Sequence, residues 1–451
     1  LIEIPKYTAV TGRIESWLKN PESKLPVSCT VLEVQDSMEG RDGIEDSWIF
    51  ASKALRYAAG VALDLSNLRP KGKSNGRGLV ASGPVSFCQI YSKLNETIRR
   101  GGWYKNGALT VYVDHRHQDA EEFLNASRNE LPWVKRALYV DESFLSSPLL
   151  PLIKAKVDDG TVWLAKKRWD KNGNRLFSQV CLEILLRSRG TCLLAHANLG
   201  ETPIGAIPSA FKNAMRFLCE IHKVTGVGES EIYLSPEEDR QVGLGVLGLA
   251  NLLAIEGVSY AELVRAMEKA LSAGYWAWSM DKAEQIALAL LEGFQQAAAV
   301  AKAYGMDRAF TVAPTASCSY RYRDREGYTT APEISPPNCH PITKEVDRDS
   351  GTFGVMTYQY HPSTETAASV EWDVQWRLLK VWQMYMESTG LAHSISANIW
   401  DKQAITTEWL KDWWESPLVT TYYRLVTQQA AVDKSTVWNQ CNDEVCSACA
   451  E

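Results

Sequence analysis

No apolar run in the chain is long enough to span a bilayer. The longest, at residues 243–255, is short and rich in glycine. No apolar leader opens it either, because charges are scattered through residues 1–18, which argues against a signal peptide. Neither sign of charge is in excess: 54 acidic and 48 basic residues leave a net charge of -6. That balance gives nucleic acid or an anionic membrane no global attraction, so any phosphate site must be local. Histidine is scarce, with seven in 451 residues. None has metal-ligand spacing, and His115-x-His117 reads as a surface pair at a strand end. The ten cysteines do not crowd the chain or show small-domain disulfide spacing. A disulfide scaffold is therefore excluded, and thiols in a reducing, cytoplasmic compartment are expected (the host's, if the chain is viral). Repeats and low-complexity runs are absent.

What remains is an ordinary globular composition, 45% hydrophobic and 23% charged, long enough for several domains or one large α/β barrel. Helical periodicity covers residues 46–63, and a Gly/Lys/Ser-rich loop follows at 70–78. Residues 84–100 read as a helix opened by proline, 109–113 as a strand, and Asp119 as the cap of a short helix. Strand and helix alternate again through 180–186 and 191–197. Residues 208–304, 372–387 and 407–414 read as helical, and 419–426 as strand-like. The alternation argues an α/β fold. Residues 1–425 are expected to form one folded unit, and polar, aperiodic 426–451 a flexible tail.

Several short motifs carry chemistry. Cys29 ends Pro26-Val27-Ser28-Cys29, and Cys192 lies in Gly190-Thr191-Cys192. Between them stands Gln179-Val180-Cys181-Leu182-Glu183. On an extended segment Cys181 and Glu183 face the same way, a thiol beside a carboxylate able to accept a proton. Alone, such a pair is more often a buried cysteine followed by a surface glutamate, and Cys29 or Cys192 taken singly is more often a core residue. The loop Ala313-Pro314-Thr315-Ala316-Ser317-Cys318 combines small residues with hydroxyls, which lets backbone N–H groups approach a phosphate. Gly243, Gly245 and Gly248 suit close helix packing. Tyr422 and Tyr423 are adjacent. A neutral tyrosine must release its proton when oxidised, so hydrogen-bonded neighbours can pass both proton and electron. Otherwise they are strand aromatics, one facing each side. In the tail, Cys441, Cys446 and Cys449 could exchange thiols with an internal disulfide. A zinc clip is the other reading, but no fourth ligand stands nearby.

In content and order these motifs resemble the catalytic (large) subunit of ribonucleotide reductases of the class I type, across residues 26–449. With only 28 residues before Cys29, the compact form without an N-terminal nucleotide-binding cone is expected. The resemblance implies a ten-stranded α/β barrel of two antiparallel halves, with the radical cysteine on a central finger loop. Cys181 would be the thiyl radical that removes the ribose 3′ hydrogen, and Glu183 would take the 3′-hydroxyl proton. Gln179 stands where the family usually has asparagine. Cys29 and Cys192 would reduce the 2′ carbon and end as a disulfide, with Ser28 beside the substrate. Pro314, Thr315, Ala316, Ser317 and Cys318 would form the substrate-phosphate loop, Cys318 as lining without a redox role. Tyr422 and Tyr423 would carry the radical inward. Asp36, Ser37 and Arg69 would serve a dNTP or ATP effector, with Lys105 in a loop that lacks the family's paired arginines. Cys446 and Cys449 are the preferred tail pair.

Implied partners are a ribonucleoside diphosphate, thioredoxin or glutaredoxin, a second copy of the chain, and a ferritin-like small subunit whose metal site makes the radical. No metal is expected in this chain itself. Adenosylcobalamin is the alternative radical source, and a non-catalytic nucleotide-binding redox sensor the alternative function.

Overall fold

Strands covered on both faces need apolar residues at consecutive positions, and Val61-Ala62-Leu63 and Val111-Tyr112-Val113 meet that need, all wholly buried. They lie inside the first of two five-stranded sheets. The computed structural model describes residues 2–22, 25–98, 107–272, 280–338, 342–347 and 353–427. The first half runs β1 (Thr8–Val10), α1 (Gly12–Lys19), β2 (Cys29–Glu33), α2 (Ile44–Arg56), β3 (Gly60–Asp64), α3 (Pro84–Thr97), β4 (Leu109–Asp114), α4 (Ala120–Asn125), β5 (Lys135–Val140), α5 (Leu150–Asp158) and β6 (Val162–Lys166). Strands β2 to β6 pair in chain order, all parallel, with helices as the crossovers that parallel pairing requires.

Three short strands follow: β7 (Arg168–Trp169), β8 (Arg175–Ser178) and β9 (Leu185–Leu186). The second half then runs β10 (Leu194–Asn198), α6 (Ile207–His222), β11 (Gln241–Leu247), α7 (Leu249–Glu256), α8 (Tyr260–Ser272), α9 (Lys282–Ala303), β12 (Arg308–Val312), α10 (Ala316–Ser319), β13 (Ile342–Asp347), β14 (Phe353–Tyr358), α11 (Trp372–Glu387), β15 (Ala392–Ile395), β16 (Ile399–Trp400), α12 (Thr407–Glu415) and β17 (Arg424–Leu425). Its sheet has the order β1-β10-β11-β12-β15, four parallel strands with β1 antiparallel on the edge. Phe294 of α9 meets Phe211 of α6, Phe310 of β12, and Trp382 and Tyr385 of α11, which knits this sheet to its helices.

The two sheets approach at both edges. Thr30 of β2 bridges Thr191, just before β10, and Ala165 of β6 bridges Thr420. The antiparallel hairpin β8–β9 reaches both sheets. On one side Ser178 N–H donates to the Tyr139 hydroxyl of β5. On the other, Arg308 of β12 donates to Leu185 O, and Leu185 N–H to His393 of β15. This hairpin is the finger loop that the family resemblance implies.

Several local expectations are corrected. The helix expected at 46–63 stops at Arg56, where Ala58 takes a left-handed φ of 64° and the chain turns into β3. The helical stretch 208–304 is interrupted by β11, so Gly243 and Gly245 lie in a strand and not between helices. A side chain at Gly243 would strike Leu194, Ile184 and Thr311, so close strand packing demands glycine there. Within 180–186 only Leu185–Leu186 are strand, the rest being turn and loop, and regular pairing within 419–426 is confined to Arg424–Leu425 and the Thr420 bridge. His115 is buried against Asp141 at 3.1 Å and is no surface residue. Among the described residues no helix is long and apolar enough to cross a membrane.

Candidate active site

The hairpin tip is built by a turn. Leu182 N–H donates to Gln179 O at 3.2 Å, Gln179 N–H to Ile184 O at 3.1 Å, and Leu182 adopts a φ of 70°. Cys181 and Glu183 therefore flank a left-handed residue, and the two-residue alternation of an extended strand does not describe them. Both are wholly buried. Each sheet holds the tip by its backbone. From β4, Thr110 donates to Val180 O at 3.2 Å and Tyr112 to Gln179 O at 2.6 Å. From β12, Thr311 Oγ1 lies 3.1 Å from Glu183 O and 3.0 Å from Ser394 O; Ser394 N–H of β15 donates to Glu183 O at 2.9 Å. Ser396 Oγ lies 2.6 Å from Cys181 O and 3.2 Å from Glu183 Oε2. Burial, with Cys181 and Glu183 adding to it, raises the Tyr112 phenol well above its usual range, so it stays a donor.

Gln179 is equally buried. Its Oε1 accepts the Cys181 N–H, and its Nε2 has no partner among the described residues. An unmatched buried donor costs about 1–3 kcal/mol unless a ligand answers it, which suits a group awaiting a hydroxyl.

Cys29 and Cys192 face each other where β2 meets the segment leading into β10, beside the Thr30–Thr191 bridge. Cys192 N–H donates to Cys29 O, and Cys29 N–H to Cys192 Sγ, each at 3.0 Å. Directly opposed residues of an antiparallel pair lie roughly 4.5–5.5 Å apart, inside the range a disulfide spans. Both carry thiols here. Ser28 precedes them, buried, with its carbonyl accepting from Gly60 N–H at 2.8 Å. Cys29, Cys181, Cys192, Tyr112, Tyr422 and Tyr423 all belong to one buried apolar cluster.

The tyrosine rings lie 4.2 Å apart between centroids, and Trp163 of β6 contacts both, at 4.7 and 5.1 Å. The small-residue loop follows β12. Pro314 and Thr315 are buried and Ala316 half-buried, while the helix behind them is only four residues long. Thr315 Oγ1 accepts from Glu333 N–H at 2.8 Å. Cys318 donates to Val10 O at 3.3 Å and packs with Ala9 and Leu247. Burial pushes its thiol up to about 11, as suits lining. Of Ser317 only the helical backbone is described. Asp36 and Arg69 come together as an ion pair at 2.7 Å, with Arg69 also on Ser74 O, and Ser37 is exposed beside them. Lys105, Cys441, Cys446 and Cys449 lie outside the described residues.

Sequence reasoning missed Thr110, Tyr112, Thr311, Ser396 and Glu333. Thr110 and Tyr112, two apart on a strand, carried a usable signal: polar groups on one face of an otherwise apolar run. Glu333 carried none. It is buried, its carboxyl pushed up to about 8 by burial, with Oε1 accepting from Asn398 at 3.4 Å. Among the described residues no group of three or more His, Cys, Asp or Glu is placed to hold a metal.

Comparison with known proteins places this geometry. The chain is 27% identical over 278 residues to a vitamin B12-dependent ribonucleoside-diphosphate reductase of Mycobacterium tuberculosis, covering 52% of this chain and 40% of that protein. It is 27% identical over 103 residues to the ribonucleoside-diphosphate reductase large subunit of Variola virus, covering 23% of this chain and 13% of that one. It thus spans less than half the length of the curated relatives it matches. Its fold superposes on an Actinobacillus ureae class Id ribonucleotide reductase alpha subunit with a TM-score of 0.67 at 16% identity, over 96% of this chain and 88% of that one. The model of the ribonucleotide reductase barrel domain matches residues 27–146 and 165–299, more than half of the chain. By that match, the chain belongs to the ribonucleotide reductase family.

Proposed function

We propose that the chain is the catalytic part of a ribonucleotide reductase that converts ribonucleoside diphosphates to 2′-deoxyribonucleoside diphosphates. The observation that carries this reading is the opposed Cys29–Cys192 pair in the same buried cluster as Cys181, at the tip of a hairpin held by both sheets. Cys181, as a thiyl radical, takes the 3′ hydrogen atom, and Glu183 takes the 3′-hydroxyl proton. The 2′-hydroxyl leaves as water with a proton from the cysteine pair. Cys29 and Cys192 supply two electrons and close a disulfide, and the hydrogen atom returns from Cys181 to C3′. One ribonucleotide and two thiols thus give one deoxyribonucleotide, one disulfide and one water. Gln179 Nε2 binds a ribose hydroxyl, and Ser28 and the loop from Pro314 through Thr315, Ala316 and Ser317 to Cys318 seat the substrate.

The buried, adjacent Tyr422 and Tyr423, their rings in contact but tilted by 52°, favour a radical made on a ferritin-like small subunit and passed through them to Cys181. The names of the bacterial relatives favour a second reading, in which adenosylcobalamin supplies the unpaired electron. In either reading Cys181 receives it. Residues 1–425 are then the catalytic unit, with Asp36, Ser37, Arg69 and Lys105 at an effector site. The tail at 426–451 relays electrons from thioredoxin or glutaredoxin through Cys446 and Cys449, in a cytoplasmic homodimer. A redox sensor without catalysis would lose nothing when Cys181 becomes serine.

The test is deoxyribonucleotide formation by the purified chain with dithiothreitol, comparing the small subunit with adenosylcobalamin. Turnover only with the small subunit is the expected result. Turnover with adenosylcobalamin alone would leave Tyr422 and Tyr423 as packing residues.

A further inference from the structure

Ser396 lies just beyond β15, buried, and its hydroxyl faces two oxygens of the hairpin tip. A serine hydroxyl has one hydrogen and two lone pairs. The contact with Cys181 O, at 2.6 Å, is the shorter and takes the hydrogen. What faces Glu183 Oε2 at 3.2 Å is then a lone pair. Against a carboxylate that contact sets lone pair to lone pair, whereas against a protonated carboxyl it is a hydrogen bond. A hydrogen bond made only to the neutral form raises a group's proton affinity.

We propose that Ser396 is a positioning residue that makes Glu183 a stronger proton acceptor, by accepting a hydrogen bond from the acid that Glu183 becomes, while it pins the Cys181 carbonyl. This rests on the reading of Glu183 as the base. The position of Ser396 is itself fixed, since its N–H donates to Val312 O and its carbonyl accepts from Asn398 N–H, each at 3.0 Å. The one hydroxyl therefore ties thiol and carboxyl to a common backbone point.

Other titratable and charged groups also face the hairpin tip. On its own hairpin stands the Cys181 thiol, and from β4 comes the Tyr112 phenol, held well above its usual range. Arg308 of β12 and His393 of β15 bind the backbone of Leu185, two residues on. Burial holds His393 well below its usual range, so neither it nor Tyr112 changes charge near neutral pH.

The experiment is an infrared titration of the Glu183 carboxyl in the full chain, its band identified by subtraction of a Glu183→Gln spectrum. Ser396→Ala and Ser396→Thr are compared with the unmodified chain, thermal melting establishes that each is folded, and the pH profile of deoxyribonucleotide formation is recorded beside it. Ser396→Ala is expected to weaken Glu183 as a base about tenfold, a midpoint lower by about one pH unit, with the acid limb of the rate profile moving the same way. Ser396→Thr, which keeps the hydroxyl, is expected to restore the midpoint. A midpoint unmoved in a folded Ser396→Ala chain overturns the proposal and leaves Glu183 as the base. Full turnover by Glu183→Gln overturns the base reading itself, and the proposal with it.

Discussion

At the scale of single residues, burial decides more than identity does. Nothing in the sequence singles out Glu333, yet it sits buried beside Thr315 with its carboxyl pushed up to about 8. Its folded pKa lies above the unfolded value. The stability it contributes is therefore full below about pH 4.5, falls as pH rises toward 8 and levels off beyond. Glu333→Gln keeps the acceptor for Asn398 and removes that slope. Urea denaturation at pH 5 and pH 8 is expected to show the variant gaining on the order of 3 kcal/mol relative to the parent at the higher pH. Equal gains at both values would contradict the burial argument. His115 teaches the same lesson, since a partner such as Asp141 lets a polar residue go inside, and one sequence does not reveal the partner. Cys29, Cys181 and Cys192 stood out in the sequence because the order of three thiols, a carboxylate and an amide resembles that of one family, and the fold brings the three thiols into one buried cluster. Ser396 was not legible, because a lone serine looks alike whether it caps, packs or tunes a base.

At the scale of elements, the hairpin β8–β9 is the device that carries the site into the space between the sheets. Its tip was unreadable because Leu182, with a branched side chain, takes a φ that sequence rules reserve for glycine. The backbone bonds from β4 and from the segment after β15 hold that conformation. Tyr112→Phe is expected to cost about 1 kcal/mol of stability and to slow turnover roughly tenfold with little change in KM, as displacement of the hydrogen-abstracting thiol should. A large rise in KM at unchanged kcat would point instead to a substrate contact. Strand β11 was hidden for another reason: a short apolar run with glycines fits a buried helix as well as a strand. Gly248 ends it at a φ of 76°, where an added Cβ would lie 2.6 Å from Thr330 Cγ2 and 2.7 Å from Gly200 N. Gly248→Ala is expected to destabilise the chain by about 2–4 kcal/mol in a urea melt, and a neutral result would mean that β11 and α7 join differently.

At the scale of the whole molecule, the α/β class followed from strand–helix alternation, but the arrangement as two five-stranded sheets did not. No periodicity records that β2 meets Thr191 or that β6 meets Thr420, because those contacts join residues more than 150 positions apart. The resemblance carried that information, and the thiol order was its most specific part. In the proposed reaction, Cys181 chemistry oxidises the Cys29–Cys192 pair as a ribonucleotide is reduced. Its most direct test is a single-turnover reaction of the prereduced chain with its radical source and no external reductant, followed by mass-spectrometric mapping of disulfides. The prediction is about one deoxyribonucleotide for each new Cys29–Cys192 disulfide, and neither product from Cys181→Ser. Deoxyribonucleotide formed while Cys29 and Cys192 both remain thiols, or formed equally by the serine variant, would contradict it.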